Sequence, residues 1–224
     1  MARLKRLFGL MWLVLPGLCL FAAAGTHHWR GAWLFLIAFI GGTLATMLWL
    51  RRTDPELYAE RMRGFHRKDQ PLWDRVIGWA IALTWYPWLI IMGLGVRTHG
   101  AQTSDTGLAT GLVIMALGYL LVMASFKANA FAATAVRLQT ERHQTVADQG
   151  PYAWVRHPIY TASLLIHLGT LLLLGVKTGW FLVPVLYGLI AWRAVLEERL
   201  LRQKLAGYDA YTARVHWRLA PGIW

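Results

Sequence analysis

Two short groups of polar residues in the last third of this sequence carry most of its chemical potential. The first group is Arg156-His157-Pro158-Ile159-Tyr160, directly before a long apolar stretch. Pro158 predicts the first turn of a helix, where no amide hydrogen is needed. The free amides of such a helix start favour an anion. That anion could be a ligand carboxylate, and the guanidinium of Arg156 is a forked donor suited to the same group.

The second group follows that stretch and consists of Arg193 and the pair Glu197-Glu198. Arg193 and Glu197 are four residues apart, so they share a face of a helix. Glu198 points about 100° away from Glu197, so the two carboxylates need not have the same role. Each charged residue alone also has a structural interpretation, because basic side chains at a membrane boundary extend toward water.

The composition predicts that these groups are positioned by membrane-spanning helices. Hydrophobic residues make up 57% of the 224 residues and charged residues only 15%, whereas a soluble domain is about a quarter charged. A spanning helix needs roughly 20 apolar residues, with about 17 as the lower limit. Few or no charges interrupt six stretches: residues 8–24, 32–50, 76–96, 107–126, 159–175 and 179–196.

The fold class predicted from these stretches is all-α: a polytopic transmembrane helix bundle of about six spans. The last two, residues 159–196, either cross fully or form a shorter hairpin. The first stretch follows basic residues and could be a signal peptide, but the five later stretches favour a retained span. The single cysteine, Cys19, excludes a disulfide within the chain.

The charge distribution predicts the orientation of this bundle. The formal net charge is +12, and all but three of the 23 Lys and Arg residues fall on one side. The positive-inside rule places that side, with both termini, in the cytoplasm of an inner-type membrane. The basic face should attract anionic lipid headgroups, which explains the high pI without nucleic acid. The exceptions are Arg30, Arg97 and Lys177, and the basic side includes Arg3, Lys5, Arg6 and Lys68.

The order of motifs from residue 126 onward resembles the isoprenylcysteine carboxyl methyltransferase family, and more widely the membrane phospholipid N-methyltransferases. The arginine-histidine-proline signature with its following tyrosine, and then the paired glutamates, carry the resemblance. Residues 126–224 would then be the methyltransferase core, and residues 1–125 an N-terminal bundle with an interfacial helix at 54–63. The matching residues are Gln139-Thr140-Glu141, Gly150-Pro151-Tyr152, residues 156–160, Glu197-Glu198, Tyr208, Tyr211, Arg214, Val215 and Pro221.

The resemblance implies S-adenosylmethionine as the cofactor and assigns roles to individual residues. Arg156, Arg193 and Glu197 would be catalytic. Arg193 would also bind the acceptor, and the tail with Tyr208 and Tyr211 would close over it. Two departures occur: Ala162 stands where the family has glycine, and Leu205-Ala206-Gly207 is shorter than the usual segment before the tail. The cofactor pocket would comprise Gln139, Tyr152, Arg156, His157, Pro158, Tyr160, Glu197 and Glu198.

Methyl transfer from a sulfonium needs alignment and exclusion of water more than acid–base help. A glutamate would hold the cation and Arg193 an acceptor carboxylate. The acceptor stays open: a prenylcysteine-like carboxylate or lipid, a phospholipid amine, or a small thiol. Alternative classes are a sterol-reductase-like NADPH oxidoreductase and a transporter or structural membrane protein. We expect no metal, since His27, His28, His66, His143 and His157 lack ligand spacing.

The helix predicted at 54–63 has two interpretations. Asp54 suits an N-cap and Pro55 the first helical position, while Gly64 can end the helix. The segment is either a connector that obeys the charge rule, or a lid or phosphate-facing surface at the cytoplasmic boundary.

Overall fold

The computed structural model describes residues 2–64, 67 and 69–224, and side chains from residue 13 onward within those ranges. His66, Lys68 and the side chains of Arg3, Lys5 and Arg6 lie outside the described part. Within it the chain is helical without a strand, which confirms the predicted all-α class. The α-helices are α1 (Ala2–Ala24), α2 (Arg30–Thr53), α3 (Pro55–Met62), α4 (Leu72–His99), α5 (Asp105–Ala128), α6 (Pro158–Leu174), α7 (Val183–Lys204) and α8 (Tyr208–Arg214).

Four segments are long and apolar enough to cross a bilayer: α2, α4, α5 and the segment Lys177–Lys204, which ends with α7. The segment Leu13–Ala24 of α1 and the whole of α6 are shorter apolar helices. Four of the six predicted spans therefore have transmembrane length and composition in the structure.

Glycines bring α5 and α6 together more closely than larger residues would allow. A Cβ atom on Gly169 of α6 would lie 2.8 Å from the carbonyl oxygen of Gly111 on α5. Two turns further along α5, a Cβ on Gly118 would lie 3.1 Å from the carbonyl oxygen of Ala162 on α6. Small residues at helix interfaces let two backbones approach in this way. The α5–α6 pair is therefore a rigid support for whatever the start of α6 carries.

The polar segments meet at one end of the bundle, which we call the polar end: residues 54–64, 67, 69–75, 129–160 and 193–224. Asp54 caps α3, since its Oδ1 accepts a hydrogen bond from the Leu57 amide at 2.9 Å. Leu57 is fully buried and packs in one cluster with Leu50 and Phe126. This contact fixes α3 against the ends of α2 and α5, so the loop helix is part of the packed structure.

Candidate active site

A cavity of about 310 Å³ lies within the polar end. That volume is at the lower end of the range of pockets that hold small molecules or cofactors. Its walls come from α3, the irregular segment after α5, the start of α6, the end of α7, and α8. Among its lining residues are Arg61, Asn129, Arg137, Tyr152, Arg156, His157, Tyr160, His167, Arg193, Glu197, Tyr208 and Tyr211.

Glu197 presents its carboxylate to this cavity and is held there by residues from the start of α6. The hydroxyl of Tyr160 donates a hydrogen bond to Glu197 Oε2 at 2.6 Å. The His157 ring stacks on Tyr160, with ring centroids 5.3 Å apart, and its Nδ1 lies 3.8 Å from Glu197 Oε2. The structure therefore brings the beginning of α6 and the end of α7 together around one carboxylate.

Glu198 has a different environment from its neighbour. It is 3% exposed and does not line the cavity. Its oxygens accept hydrogen bonds from Arg156 Nε at 2.7 Å and Arg218 Nε at 3.1 Å, and its Oε1 lies 3.2 Å from His157 Nε2. Buried carboxylates need such partners to offset the loss of hydration. Glu198 thus fixes the wall of the site, and Glu197 faces its interior.

Arg156, predicted to bind a ligand carboxylate, is instead bonded within the protein although it lines the cavity. Its Nε and Nη2 donate to Glu198, and its Nη1 donates to the carbonyl of Val215 at 3.0 Å. The amide of Arg156 donates to the carbonyl of Trp217 at 2.9 Å. The C-terminal tail is therefore secured across the start of α6, and the forked donors of Arg156 serve that contact.

Arg193 lines the cavity from α7 and forms a buried ion pair that the sequence did not suggest. Its Nε donates to Asp74 Oδ1 at 2.7 Å, and its Nη2 donates to the carbonyl of Thr134 at 2.9 Å. Asp74, fully buried in the first turn of α4, also accepts hydrogen bonds from the Val136 amide and the Gln70 side chain. The pair therefore joins α4, α7 and the irregular segment at one point.

The predicted residues Gln139 and Pro158 do not line the cavity. Gln139 is fully buried; its Nε2 donates to the carbonyl of Phe131 at 2.7 Å, and its Oε1 accepts from Arg142 at 2.6 Å. Pro158 is the first residue of α6. Both residues shape the backbone around the site, and neither presents a side chain to its interior.

Three tyrosines form a neutral wall opposite α6 and α7. Tyr152 accepts a hydrogen bond from Asn129 Nδ2 at 3.1 Å, and the hydroxyl of Tyr211 donates to the carbonyl of Tyr152 at 2.8 Å. Burial raises the pKa of the hydroxyls of Tyr152, Tyr208 and Tyr211 well above the usual value. These side chains therefore stay uncharged and can exclude water.

Sequence reasoning missed a cluster of three carboxylates around buried Arg137, which lines the cavity. Arg137 is 2% exposed in its side chain and contacts Glu60 at 2.9 Å, Asp69 at 2.8 Å and Glu141 at 2.6 Å. Although burial opposes its charge, the hydrogen bonds that Arg137 donates to Glu141 and Glu60 raise its pKa. Since these residues come from separate segments without a shared motif, only the fold shows that they meet.

This geometry defines a class: an all-helical membrane protein with a polar cavity at one end. A carboxylate and neutral tyrosines face that cavity. Residues 106–206 match the family model described as phospholipid methyltransferase. The predicted resemblance to this group of membrane methyltransferases, to which the isoprenylcysteine carboxyl methyltransferases are related, is thereby confirmed.

The matched segment is a little under half of the chain and contains α6 and α7 entirely, including Glu197, and all of α5 except its first residue. No curated protein matches the chain. Together, the family match and the four apolar helices indicate an integral membrane protein with methyltransferase character. Among the described residues, no group of three or more His, Cys, Asp or Glu side chains could hold a metal ion.

Proposed function

We propose that the protein is an integral membrane methyltransferase that uses S-adenosylmethionine and acts on a lipophilic acceptor. The observation that carries the proposal is the Glu197 carboxylate at the cavity wall. Its hydrogen-bond partner is the neutral hydroxyl of Tyr160, and Arg193 interacts with it electrostatically, whereas Glu198 accepts hydrogen bonds from two arginines. Since Arg193 is already bonded to Asp74, a carboxylate that faces the cavity with a neutral hydrogen-bond partner suits a ligand that brings its own positive charge.

S-adenosylmethionine would supply a methyl group on a positively charged sulfonium. In the proposed site, Glu197 holds the positive charge of the ligand, while Tyr160 and His157 hold Glu197 in position. Tyr152, Tyr208 and Tyr211 exclude water without adding charge. Arg193, fixed by Asp74, faces the acceptor. The residues mainly bind and align the reactants, which is the main requirement of an in-line displacement.

We further propose the membrane arrangement that this chemistry requires. Six helices cross the bilayer, with α1 and α6 as the two short spans, and both termini lie in the cytoplasm. The cavity then opens toward the side from which a soluble cofactor arrives, and a lipophilic acceptor reaches it sideways from the bilayer. The basic residues of the polar end support this orientation.

The decisive experiment measures cofactor binding and methyl uptake by the protein purified in detergent. We expect calorimetry to show binding of S-adenosylmethionine and none of NADPH, which separates the methyltransferase from a reductase. Label from a radioactive methyl donor should enter one class among prenylcysteine derivatives, phospholipid amines and small thiols. Binding of NADPH alone would contradict the proposal.

Glu197→Gln tests the site itself. Methyl transfer disperses the sulfonium charge, so the carboxylate binds the ground state at least as strongly as the transition state. We therefore expect cofactor affinity to fall about 10- to 100-fold, the scale of one lost charged hydrogen bond, with a smaller change in kcat. His157→Ala, which removes a support of Glu197, should weaken transfer as well.

The matched control is Glu56→Gln, because Glu56 is an exposed glutamate on α3 and does not line the cavity. This variant should bind the cofactor as the wild type does. Unchanged affinity and turnover in Glu197→Gln, with the control also unchanged, would remove the site assignment.

A further inference from the structure

Arg61 is directed into the cavity by the way α3 packs. Leu57, Glu60 and Arg61 are three and four residues apart, so they lie on the same face of the helix. Leu57 is fully buried, and Glu60 is 6% exposed and bound by Arg137. This face is therefore turned inward, and Arg61 lines the cavity. Arg63, two residues on, has a side chain that is 58% exposed.

The guanidinium of Arg61 is only partly bonded within the protein. Its Nη1 donates to the carbonyl of Ala132 at 2.6 Å, and its central carbon lies 4.4 Å from the centre of the Phe126 ring. A guanidinium carries five N–H donors. All eleven Asp and Glu residues are in the described part of the chain, and none of them forms an ion pair with Arg61.

The other buried arginines around the cavity differ in this respect. Arg137, Arg156 and Arg193 each contact at least one carboxylate within 3 Å. Arg61 has none, and burial lowers its pKa to about 10, with Arg193 adding repulsion. It is still charged near neutral pH. A partly buried charge without a carboxylate partner is costly unless a partner arrives with the ligand.

Glu197 lines the same cavity, and Tyr152 interacts electrostatically with both Glu197 and Arg61. The cavity thus has a carboxylate and a guanidinium whose hydrogen-bond partners, the Tyr160 hydroxyl and the Ala132 carbonyl, are both neutral. A ligand with a positive and a negative group would complement both.

We propose that Arg61 is the anion-binding residue of this cavity and binds a carboxylate of the ligand, from either the amino-acid part of the cofactor or the acceptor. The inference rests on the proposed methyltransferase function and adds a substrate requirement and an orientation to it. The cationic group of the ligand lies at Glu197 and its carboxylate at Arg61. The helix α3 then belongs to the binding site.

Two pairs of ligands separate the two sources of the carboxylate. The first pair is S-adenosylmethionine and its decarboxylated analogue; the second is N-acetyl-S-farnesylcysteine and its methyl ester. Within each pair, the first ligand has a negatively charged carboxylate, and the second lacks that charge because the group is removed or esterified. The wild type should bind the carboxylate member of one pair about 10- to 100-fold more tightly, as expected for a charge-assisted bond. The affected pair identifies the source.

Arg61→Gln should abolish the affinity difference within that pair and leave the other pair unchanged. Arg61→Lys, which keeps the charge without the fork, should give an intermediate difference. Arg63→Gln, at the C-cap of the same helix and with an exposed side chain, is the matched control and should keep the wild-type difference. If Arg61→Gln does not fold, Arg61→Lys and the wild-type comparison still decide.

Two results would overturn the inference without touching the methyltransferase proposal. One is binding of S-adenosylmethionine by the wild type with no preference for the carboxylate member in either pair. The other is a preference that Arg61→Gln and Arg61→Lys both leave unchanged. If the wild type binds the farnesylcysteine acid through Arg61 but binds no S-adenosylmethionine, the proposed cofactor fails and the anion site stands. Binding of none of the four ligands would overturn both.

Discussion

The apolar bundle and the polar end of this protein are held together by different physical means. In the bundle, α5 and α6 meet through Gly111, Gly118 and Gly169, so shape fixes their distance. Buried indoles add specific anchors, as when Trp88 Nε1 donates to the carbonyl of Gly179 at 2.6 Å. In the polar end, ion pairs between distant segments fix the arrangement.

The difference shows where binding energy remains available. The bundle leaves few groups that a ligand could satisfy, since its contacts are apolar and its indoles are bonded. In the polar end, Glu198, Glu60 and Asp74 already have arginine partners, so they serve as structure. Glu197 and Arg61 face the cavity, and their hydrogen-bond partners there, Tyr160 and the carbonyl of Ala132, are neutral. We therefore expect a ligand to bind at these two charges.

The largest loss of stability is expected from a variant in the polar end, and it tests whether ion pairs hold this region together. Arg156→Met removes the main partner of buried Glu198, and breaking a buried pair costs about 3–5 kcal/mol. Unfolding in detergent, followed by helical signal against denaturant, measures the loss. The double variant Arg156→Met/Glu198→Leu should recover most of it, because no charge then stays buried alone. Equal destabilisation of the single and double variants would contradict an electrostatic role.

A smaller effect is expected from shape in the bundle. Gly169→Val places a side chain where a Cβ would already lie 2.8 Å from a backbone oxygen of α5, and overpacking costs about 1–3 kcal/mol. Gly188→Val on α7 is the matched control, because no atom lies within 4 Å of its Cβ position. It should stay within about 0.5 kcal/mol of the wild type in the same unfolding measurement. Equal losses in both variants would show that close packing at Gly169 is not what matters.

The sequence predicted the parts of the fold that depend on local properties. Apolar length indicated α2, α4, α5 and the segment containing α7, and Pro158 marked the first residue of α6. The segment between α5 and α6 has no regular hydrophobic period, so its path around the cavity was not predictable. The closing tail was expected from resemblance, but its bonds to the start of α6 were not.

The site was predictable only to the level of its motifs. The 100° offset between Glu197 and Glu198 indicated two roles, but only Arg218 and Arg156 show which carboxylate is the structural one. Arg193 was expected at the acceptor without its partner Asp74, which is 119 residues away. Arg61 was indistinguishable from the basic residues that set orientation, because its inward direction depends on how α3 packs.

The smallest change in stability is expected at the rim of the polar end, where an ion pair is partly exposed to solvent. Glu141 contacts Arg137 at 2.6 Å, yet its side chain is 55% exposed. The hydrogen bond from Arg137 lowers the pKa of Glu141. Since the folded pKa lies below the unfolded one, the pair contributes stability above the unfolded pKa and loses it as pH falls through the folded pKa.

Glu141→Gln should therefore flatten the acid side of the stability profile below about pH 4.5 and leave the neutral plateau nearly unchanged. Unfolding midpoints across pH 3 to 7 measure this change, and added salt should reduce it, because an exposed pair is screened. If the acid side stays as steep in Glu141→Gln, the pH dependence comes from the buried pairs alone. Arg137 would then owe its position to Glu60 and Asp69, with Glu141 as a bystander.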